Sequence, residues 1–455
     1  MRRVLEIGLS LAVALAVLGF GGTAPQFFAI TQVIVLFLGI LRLFAGRSFS
    51  ATRAHFPVTV SFLLVALVLL QIVPLPISVA HMFGVSVVDP PGHTTFTISA
   101  APYETVSQML ALVTYLTAFY LVLTICTDQG SKKRLVLALL AIGVFEAFYG
   151  LIQYLTGWQQ IFFYMKKFYL EDATGTYINR NHFAGLLEMI LPFAVVFALQ
   201  HVWRLRQRFE AEHAPARKLL SSSEFPFLVF WIFISAAIFA AIVGSHSRMG
   251  ILSTLASLVV VLTLAGTSML SAKVRVAVGV VFLLSMVGLA VWVGSDPVIT
   301  RFETLNDQYA HPGQDRLSIW RDTLQLIRRH PVLGSGFGSF ATVYPSVQTA
   351  FLNNVVDHAH CDYLELTTEL GLPGGIVVFG GIFWVLGSTF RRCKKAGVDY
   401  DKAVSLACSG SIVAILLHSL ADFNLYIPAN ALIFVMILAL AWSSSGQMQT
   451  QRPSA

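Results

Sequence analysis

Charge of either sign is scarce in this chain. Asp, Glu, Lys and Arg together supply 12% of its 455 residues, against roughly 25% in a soluble domain. There are too few ionic side chains to coat a water-facing surface, so a set of soluble domains is excluded. Cysteine is scarcer still. Cys126, Cys361, Cys393 and Cys408 are scattered with no Cys-x-x-Cys pair, which argues against a disulfide scaffold and a cysteine zinc site. Internal repeats and low-complexity tracts are missing, and only the stretch from Ser443 on reads as a loose tail. What the chain has instead is apolar surface: 56% of residues are hydrophobic and the mean hydropathy is +0.74. Such a composition also excludes a disordered chain, which is poor in apolar residues. The reading is an all-α polytopic membrane protein.

A spanning helix needs about 20 mostly apolar residues, and about twelve segments qualify. They lie near Val4–Phe20, Phe27–Phe44, Val58–Val73, Thr105–Cys126, Leu135–Leu155, Phe183–Trp203, Phe225–Val243, Gly250–Leu264, Val276–Val293, Leu372–Phe390, Ala403–Leu420 and Pro428–Trp442. Met1-Arg2-Arg3 before the first apolar run resembles a secretory signal; with the next segment following at once, it reads as an uncleaved first span. Lys and Arg concentrate in cytoplasmic loops. An inside N-terminus places 21 of the 30 basic residues in inside loops, so both termini are expected in the cytoplasm. The +7 formal charge then mostly reports orientation. The longest outside loop, Gly294–Gly371, lies between the ninth and tenth spans. Within it Leu317, Trp320, Leu324 and Ile327 recur at helical spacing, predicting an amphipathic helix over Asp315–Arg329 that Pro331 ends.

Nine basic residues oppose the usual bias: Lys166, Lys167, Arg180, Arg248, Arg301, Arg316, Arg321, Arg328 and Arg329. Arg180 lies at the outer mouth of the sixth span, Arg248 in the short link between the seventh and eighth, and Arg316 at the start of the amphipathic helix. Three guanidinium forks at one membrane face suit an anionic, phosphate-bearing ligand; pairing with lipid headgroups or acidic neighbours is the competing reading. A second dense feature, Asp357-His358-Ala359-His360-Cys361-Asp362, sits where the long loop meets the tenth span. Its histidines allow three readings: a metal pair, a structural cap, or a general base for a substrate hydroxyl. Glu146 and Glu188 fall inside spans and are either helix-bridging groups or part of an ion path. Glu365 and Glu369 share a helix face by their spacing of four, as do His418 and Asp422. Gly334-Ser-Gly336-Phe-Gly338 follows a helix, so it reads as a turn rather than a nucleotide fingerprint.

Four elements taken together resemble the O-antigen ligase/polymerase superfamily of bacterial membrane polysaccharide enzymes. They are Asp315-Arg316 through Trp320 to His330-Pro331 and Gly334–Phe340; Asp357-His-Ala-His360-Cys361 with Gly371-Leu-Pro-Gly374; Thr176-Tyr-Ile-Asn179-Arg180-Asn181-His182-Phe-Ala184; and Ser247-Arg248. Cys361 stands where the family usually has Asn, Ser or Gln. The resemblance covers about Thr174–Gly375. It implies a fold like that of the C-type glycosyltransferases, with residues 1–173 as N-terminal helices, 174–442 as the catalytic region including periplasmic loop 294–371, and 443–455 as a cytoplasmic tail. It also implies an inverting, metal-independent transferase without cofactor, in the inner membrane with its active site facing the periplasm. Such an enzyme moves a glycan from undecaprenyl pyrophosphate to an acceptor hydroxyl. Carried over by position, His360 is the catalytic base, and Arg248, Arg316 and Arg180 hold the pyrophosphate. His358 stays an ambiguous companion in the substrate site. The expected acceptor is lipid A core, as for a ligase; a growing polysaccharide, as for a polymerase, or a protein hydroxyl are alternatives within the family. An anion transporter and a non-enzymatic envelope-assembly partner are the competing classes. No nucleic-acid partner is expected.

Overall fold

The computed structural model describes residues 1–45, 55–76, 95–212, 222–266, 312–349, 355–395 and 399–445. Within them the chain is almost wholly helical. In order come α1 (Arg2–Leu18), α2 (Pro25–Phe44), α3 (His55–Ile72), α4 (Pro102–Ile125), α5 (Gln129–Thr156), α6 (Arg180–Glu212), α7 (Phe225–Gly244) and α8 (Arg248–Gly266). Then follow α9 (Pro312–Arg329), α10 (Asp362–Lys394), α11 (Tyr400–His418) and α12 (Pro428–Ser444). One-turn helices at Phe20–Gly22, Phe340–Val343, Tyr344–Ser346 and Asn424–Tyr426, and two antiparallel ribbons of two-residue strands, complete the described set: β1 (Leu75–Pro76) pairs with β2 (Thr95–Phe96), and β3 (Gln160–Ile161) with β4 (Tyr164–Met165). Eight of the described helices, α2, α4 to α8, α10 and α11, are long and apolar enough to cross a membrane. Helices α3 and α12 are apolar but shorter. This is the architecture of an all-α polytopic membrane protein. The expected ninth span, Val276–Val293, lies outside the described residues, as do Arg301 and the first part of the long loop.

Helix α6 is the axis of the bundle. Its apolar stretch is 94% buried, against 22% for α2, and it packs against α7, α8 and α11. Close approach needs small side chains: a Cβ added to Gly185 would overlap Asn424 Oδ1 from the link between α11 and α12. Helix starts follow local capping rules. Asp128 accepts from Ser131 N at 2.9 Å, Asp399 from Lys402 N at 2.7 Å, and Asn179 Oδ1 from Asn181 N at 2.8 Å.

The two groups of basic residues occupy opposite ends of the bundle. At one end Arg134 grips Glu6 through two nitrogens at 2.7 and 2.8 Å, and the Lys132 ammonium donates to Asp401 at 2.6 Å and to Ser443 O at 3.1 Å. These contacts tie the starts of α1, α5 and α11 to the end of α12. Arg180, Arg248 and Arg316 lie at the other end, with the starts of α6, α8 and α9.

Three expectations need correction. The tenth span does not start at Leu372: α10 begins at Asp362 and bends at Gly371, whose φ is +71°. The bend exists because the turn after α9 packs into it. Leu372 N donates to Pro331 O at 2.8 Å and Gly336 N to Glu369 O at 3.1 Å, and a Cβ on Gly371 would overlap Val332 O. Second, α9 forms over the expected stretch, but its buried stripe is Ile319, Asp322, Thr323 and Leu326, while Leu317 is 61% exposed. Apolar spacing alone cannot show this, because Asp322 is buried as a satisfied acceptor. It takes bonds from Thr349 N at 3.0 Å, Thr349 Oγ1 at 2.8 Å and Tyr344 OH at 3.3 Å. Third, His418 and Asp422 do not share a helix face, because α11 ends at His418 and Asp422 lies in the turn beyond.

Candidate functional site

The His segment is a short extended stretch before α10, held from two sides. Trp320 Nε1, on α9, donates to Ala359 O at 3.0 Å. Glu365, in the first turn of α10, accepts from Ala359 N at 2.7 Å with one oxygen and contacts His358 Nδ1 at 2.6 Å with the other. Between these clamps the backbone turns sharply, and His360 takes φ +50°, a conformation a non-glycine residue holds only when its surroundings enforce it. The turn leaves the two histidines in different surroundings. His358 has a ring nitrogen committed to Glu365 and stacks on Phe423 with centroids 4.0 Å apart. His360 meets Phe423 edge-on at 5.1 Å, and its buried Nδ1 has no hydrogen-bond partner.

Charge separates the two rings further. Burial disfavours the His358 cation, but the charge and hydrogen bond of Glu365, helped by Asp357 and Glu369, outweigh it and raise its pKa to about 9. Burial pushes His360 down from the ordinary value; Asp422 opposes this, and Arg316 and His358 reinforce it. At neutral pH His358 is thus an imidazolium and His360 a neutral imidazole, able to accept a proton.

Asp422 and Phe423 come from the link between α11 and α12. That link is fastened to α6 by buried amides: Asn430 donates to Asn424 Oδ1 and to His182 O, both at 2.9 Å, and Tyr177 OH donates to Asn430 Oδ1 at 2.9 Å. His182 Nε2 then lies 3.5 Å from Asp422 Oδ1. Burial opposes ionisation of Asp422, but His182, His418 and Arg316 hold its carboxyl well below the usual range. Arg316 Nη1 also donates to Ala421 O at 2.8 Å, which brings the start of α9 onto the same link.

Other cations gather around Asp172, a carboxylate outside every motif of the sequence. Asp172 accepts from Arg180 Nη1 at 2.8 Å and contacts His246 Nδ1 at 2.6 Å, while its backbone oxygen takes Lys166 Nζ at 2.9 Å. Arg180 also lies over the Tyr169 ring at 5.2 Å. His246 is two residues before Arg248, which opens α8 and is exposed. Tyr169, whose hydroxyl burial makes less acidic, lies within charge range of Arg180, Asp422 and Arg316. The cluster around Asp172 and the His segment therefore form one neighbourhood, not two separate sites. Asp172 has no recognisable spacing and Phe423 belongs to no motif, so neither carries a local signal. Trp320 and Glu365 stand out in the sequence only as helix-face residues.

The intramembrane acids have internal partners. Glu146 accepts from Thr176 N at 2.8 Å and Thr176 Oγ1 at 2.7 Å, pinning the segment that leads into α6. Glu188 takes Ser253 Oγ at 2.5 Å and contacts His418 Nδ1 at 3.0 Å. Both carboxylates bridge elements, in line with the helix-bridging reading of them.

A family model described as O-antigen ligase matches residues 232–379. Arg248, Arg316, His358 and His360 fall within the match, and Arg180 precedes it. No curated protein matches the chain. The match spans about a third of the chain and supports its membership in the O-antigen ligase/polymerase superfamily.

Proposed function

We propose that the protein is an inverting, metal-independent glycosyltransferase that moves a glycan from undecaprenyl pyrophosphate to an acceptor hydroxyl at the periplasmic face of the inner membrane. The catalytic region is residues 174–442, and the acceptor is lipid A core, as for a ligase. The main support is the division of labour within the His segment. His360 is a neutral imidazole with an unpartnered Nδ1, in the field of Arg316 and Asp422, while His358 is charged and committed to Glu365.

In the reaction His360 takes the proton of the acceptor hydroxyl as its oxygen attacks the anomeric carbon opposite the pyrophosphate. The new C–O bond forms as the bond to the leaving oxygen breaks. The electron pair leaves on the lipid pyrophosphate, and the configuration inverts. Arg248 and Arg316 neutralise the charge that develops there, with Arg180 as a third fork; fixed cations aimed at a developing charge lower the barrier because they need no reorganisation. His358 is assigned to positioning rather than substrate contact. Burial does most to keep the basicity of His360 low before the acceptor arrives, and the charges of Arg316 and the His358 cation add to it.

The test is transfer by purified protein in liposomes, using a synthetic polyprenyl-pyrophosphate glycan. One product should be the inverted glycoside and the other the free lipid pyrophosphate. Replacing one fixed group aimed at transition-state charge typically costs about 100-fold or more, so Arg248→Ala and Arg316→Ala should each cost that much in kcat/KM. Wild-type rates in both variants would sink the assignment.

A further inference from the structure

The segment joining α5 to α6 contains an aromatic hairpin that glycan transfer leaves unexplained. Its strands are β3 and β4, and its tip is Phe162-Phe163. Instead of projecting from the end of α5, it folds back along that helix. Gln153 Nε2 donates to Gln160 O at 2.9 Å, and Phe162 N donates to Tyr149 OH at 2.9 Å. Tyr149 lies seven residues before Thr156, the last residue of α5, so the tip sits ~10 Å back along the helix at 1.5 Å per residue. The far strand rests on the end of α1, where Tyr164 and Phe20 meet edge to face at 5.6 Å.

A hairpin at that depth should hide its apolar side chains if water surrounded it. It does the reverse. Phe163 is 105% exposed, Phe168 64% and Met165 60%. Phe145, Phe148 and Ile152, exposed residues of α5, continue the same apolar surface along the spanning helix. Tyr149 packs against Phe145, Trp158 and Phe162 at 5.4 to 5.7 Å, making one aromatic band. Rings of this kind concentrate at the border between hydrocarbon and headgroups, where an apolar body and a polar edge are both satisfied. The exposed cation Lys167 flanks the band.

We propose that residues 158–170 form an interfacial seat, inserted into the leaflet at the site end of the bundle, with bilayer lipid covering its aromatic tip. The seat is tied to the arginine cluster by two contacts. Lys166 holds Asp172 O, and Tyr169 lies under Arg180. Its depth in the leaflet therefore sets the height at which Arg180 meets a lipid-borne anion, a consequence that rests on the transfer reaction proposed above.

The four native cysteines are buried, so an introduced surface cysteine accepts a nitroxide selectively. Labels at Phe163→Cys and Phe168→Cys are compared, in phosphatidylethanolamine/phosphatidylglycerol liposomes, with Phe230→Cys on the exposed face of α7 and Ser346→Cys in the segment after α9. Collision with oxygen should exceed collision with a water-soluble nickel chelate at positions 163 and 168, as at 230, and the order should reverse at 346. A nickel-dominated signal at both hairpin positions, in protein that elutes as wild type, overturns the seat. The measurement needs no glycan, so a failure of the transfer assay leaves the depth of the hairpin unaffected.

Discussion

Replacing Glu365 by Gln changes one charge with little change in shape. The Gln side chain keeps an oxygen for Ala359 N, which Glu365 holds at 2.7 Å, but loses the anion 2.6 Å from His358 Nδ1. Against the opposing effect of burial, that anion is what holds the titration of His358 near pH 9 rather than 6.5. A histidine whose pKa is raised on folding contributes stability that is fully present below its unfolded value, and the contribution is lost as pH rises through its folded value. With ends at about 6.5 and about 9, the full contribution is roughly 3 kcal/mol, and most of it remains at pH 7. The His358 side chain keeps 26% of its surface exposed, so water screening makes these upper bounds. Unfolding free energies in bicelles should show Glu365→Gln weaker than wild type by about 2 kcal/mol at about pH 6 to 7. The gap should close between about pH 7 and 10. Loss of the His358 cation should also make His360 more basic, moving the acid limb of the transfer rate to higher pH. A gap that stays constant across about pH 6 to 10 would mean that Glu365 acts through shape rather than charge, and the electrostatic assignment of His358 would fall.

Other perturbations separate the parts of the site. Trp320→Phe removes the bond to Ala359 O, worth about 1 kcal/mol; kcat should fall several-fold while the melting temperature moves little, and an unchanged kcat would show that α9 does not set the His360 backbone. Asp172→Asn leaves Arg180 and His246 without their shared anion. The KM for the lipid donor should rise about 10-fold with a smaller change in kcat, as expected when uniform binding is lost, and Asp172→Glu should recover part of it. Gly185→Ala drives a Cβ into Asn424 Oδ1; overpacking of this kind costs about 1–3 kcal/mol. Because Asn424 helps hold Phe423 and Asp422, the variant should lose transfer more than membrane insertion, measured as rate per folded molecule.

The spans are legible in the sequence because a bilayer demands long apolar runs: α4, α7, α8, α11 and α12 begin and end within a few residues of the stretches expected from hydropathy, whereas the polar extensions that start α5 at Gln129 and carry α6 to Glu212 have no apolar signal. The separation of the cations is legible too, since Lys132 and Arg134 lie opposite Arg180, Arg248 and Arg316. The start of α10 is not, because a helix that begins with Asp362 and Glu365 and bends at Gly371 has no apolar signature in its first turns. The buried stripe of α9 is hidden for a related reason: Asp322 is polar yet internal, its cost offset by three hydrogen bonds. His360 is legible as a candidate from its motif. What separates it from His358, the carboxylate of Glu365 on one ring and an orphaned nitrogen on the other, depends on three-dimensional placement. The same holds for Asp172, which gathers Arg180 and His246 from elements far apart in the chain.

Whether His360 is the base is decided by the pH dependence of glycan transfer in wild type, His360→Ala and His358→Ala, each reconstituted at equal amounts of folded protein. A neutral His360 that accepts the hydroxyl proton gives an acid limb below about pH 6.5 in wild type, the ordinary histidine value, and no transfer at any pH in His360→Ala. Reduced transfer is expected in His358→Ala, with the acid limb displaced upward. Transfer at wild-type rate in His360→Ala, or its abolition in His358→Ala alone, would overturn the assignment of the base.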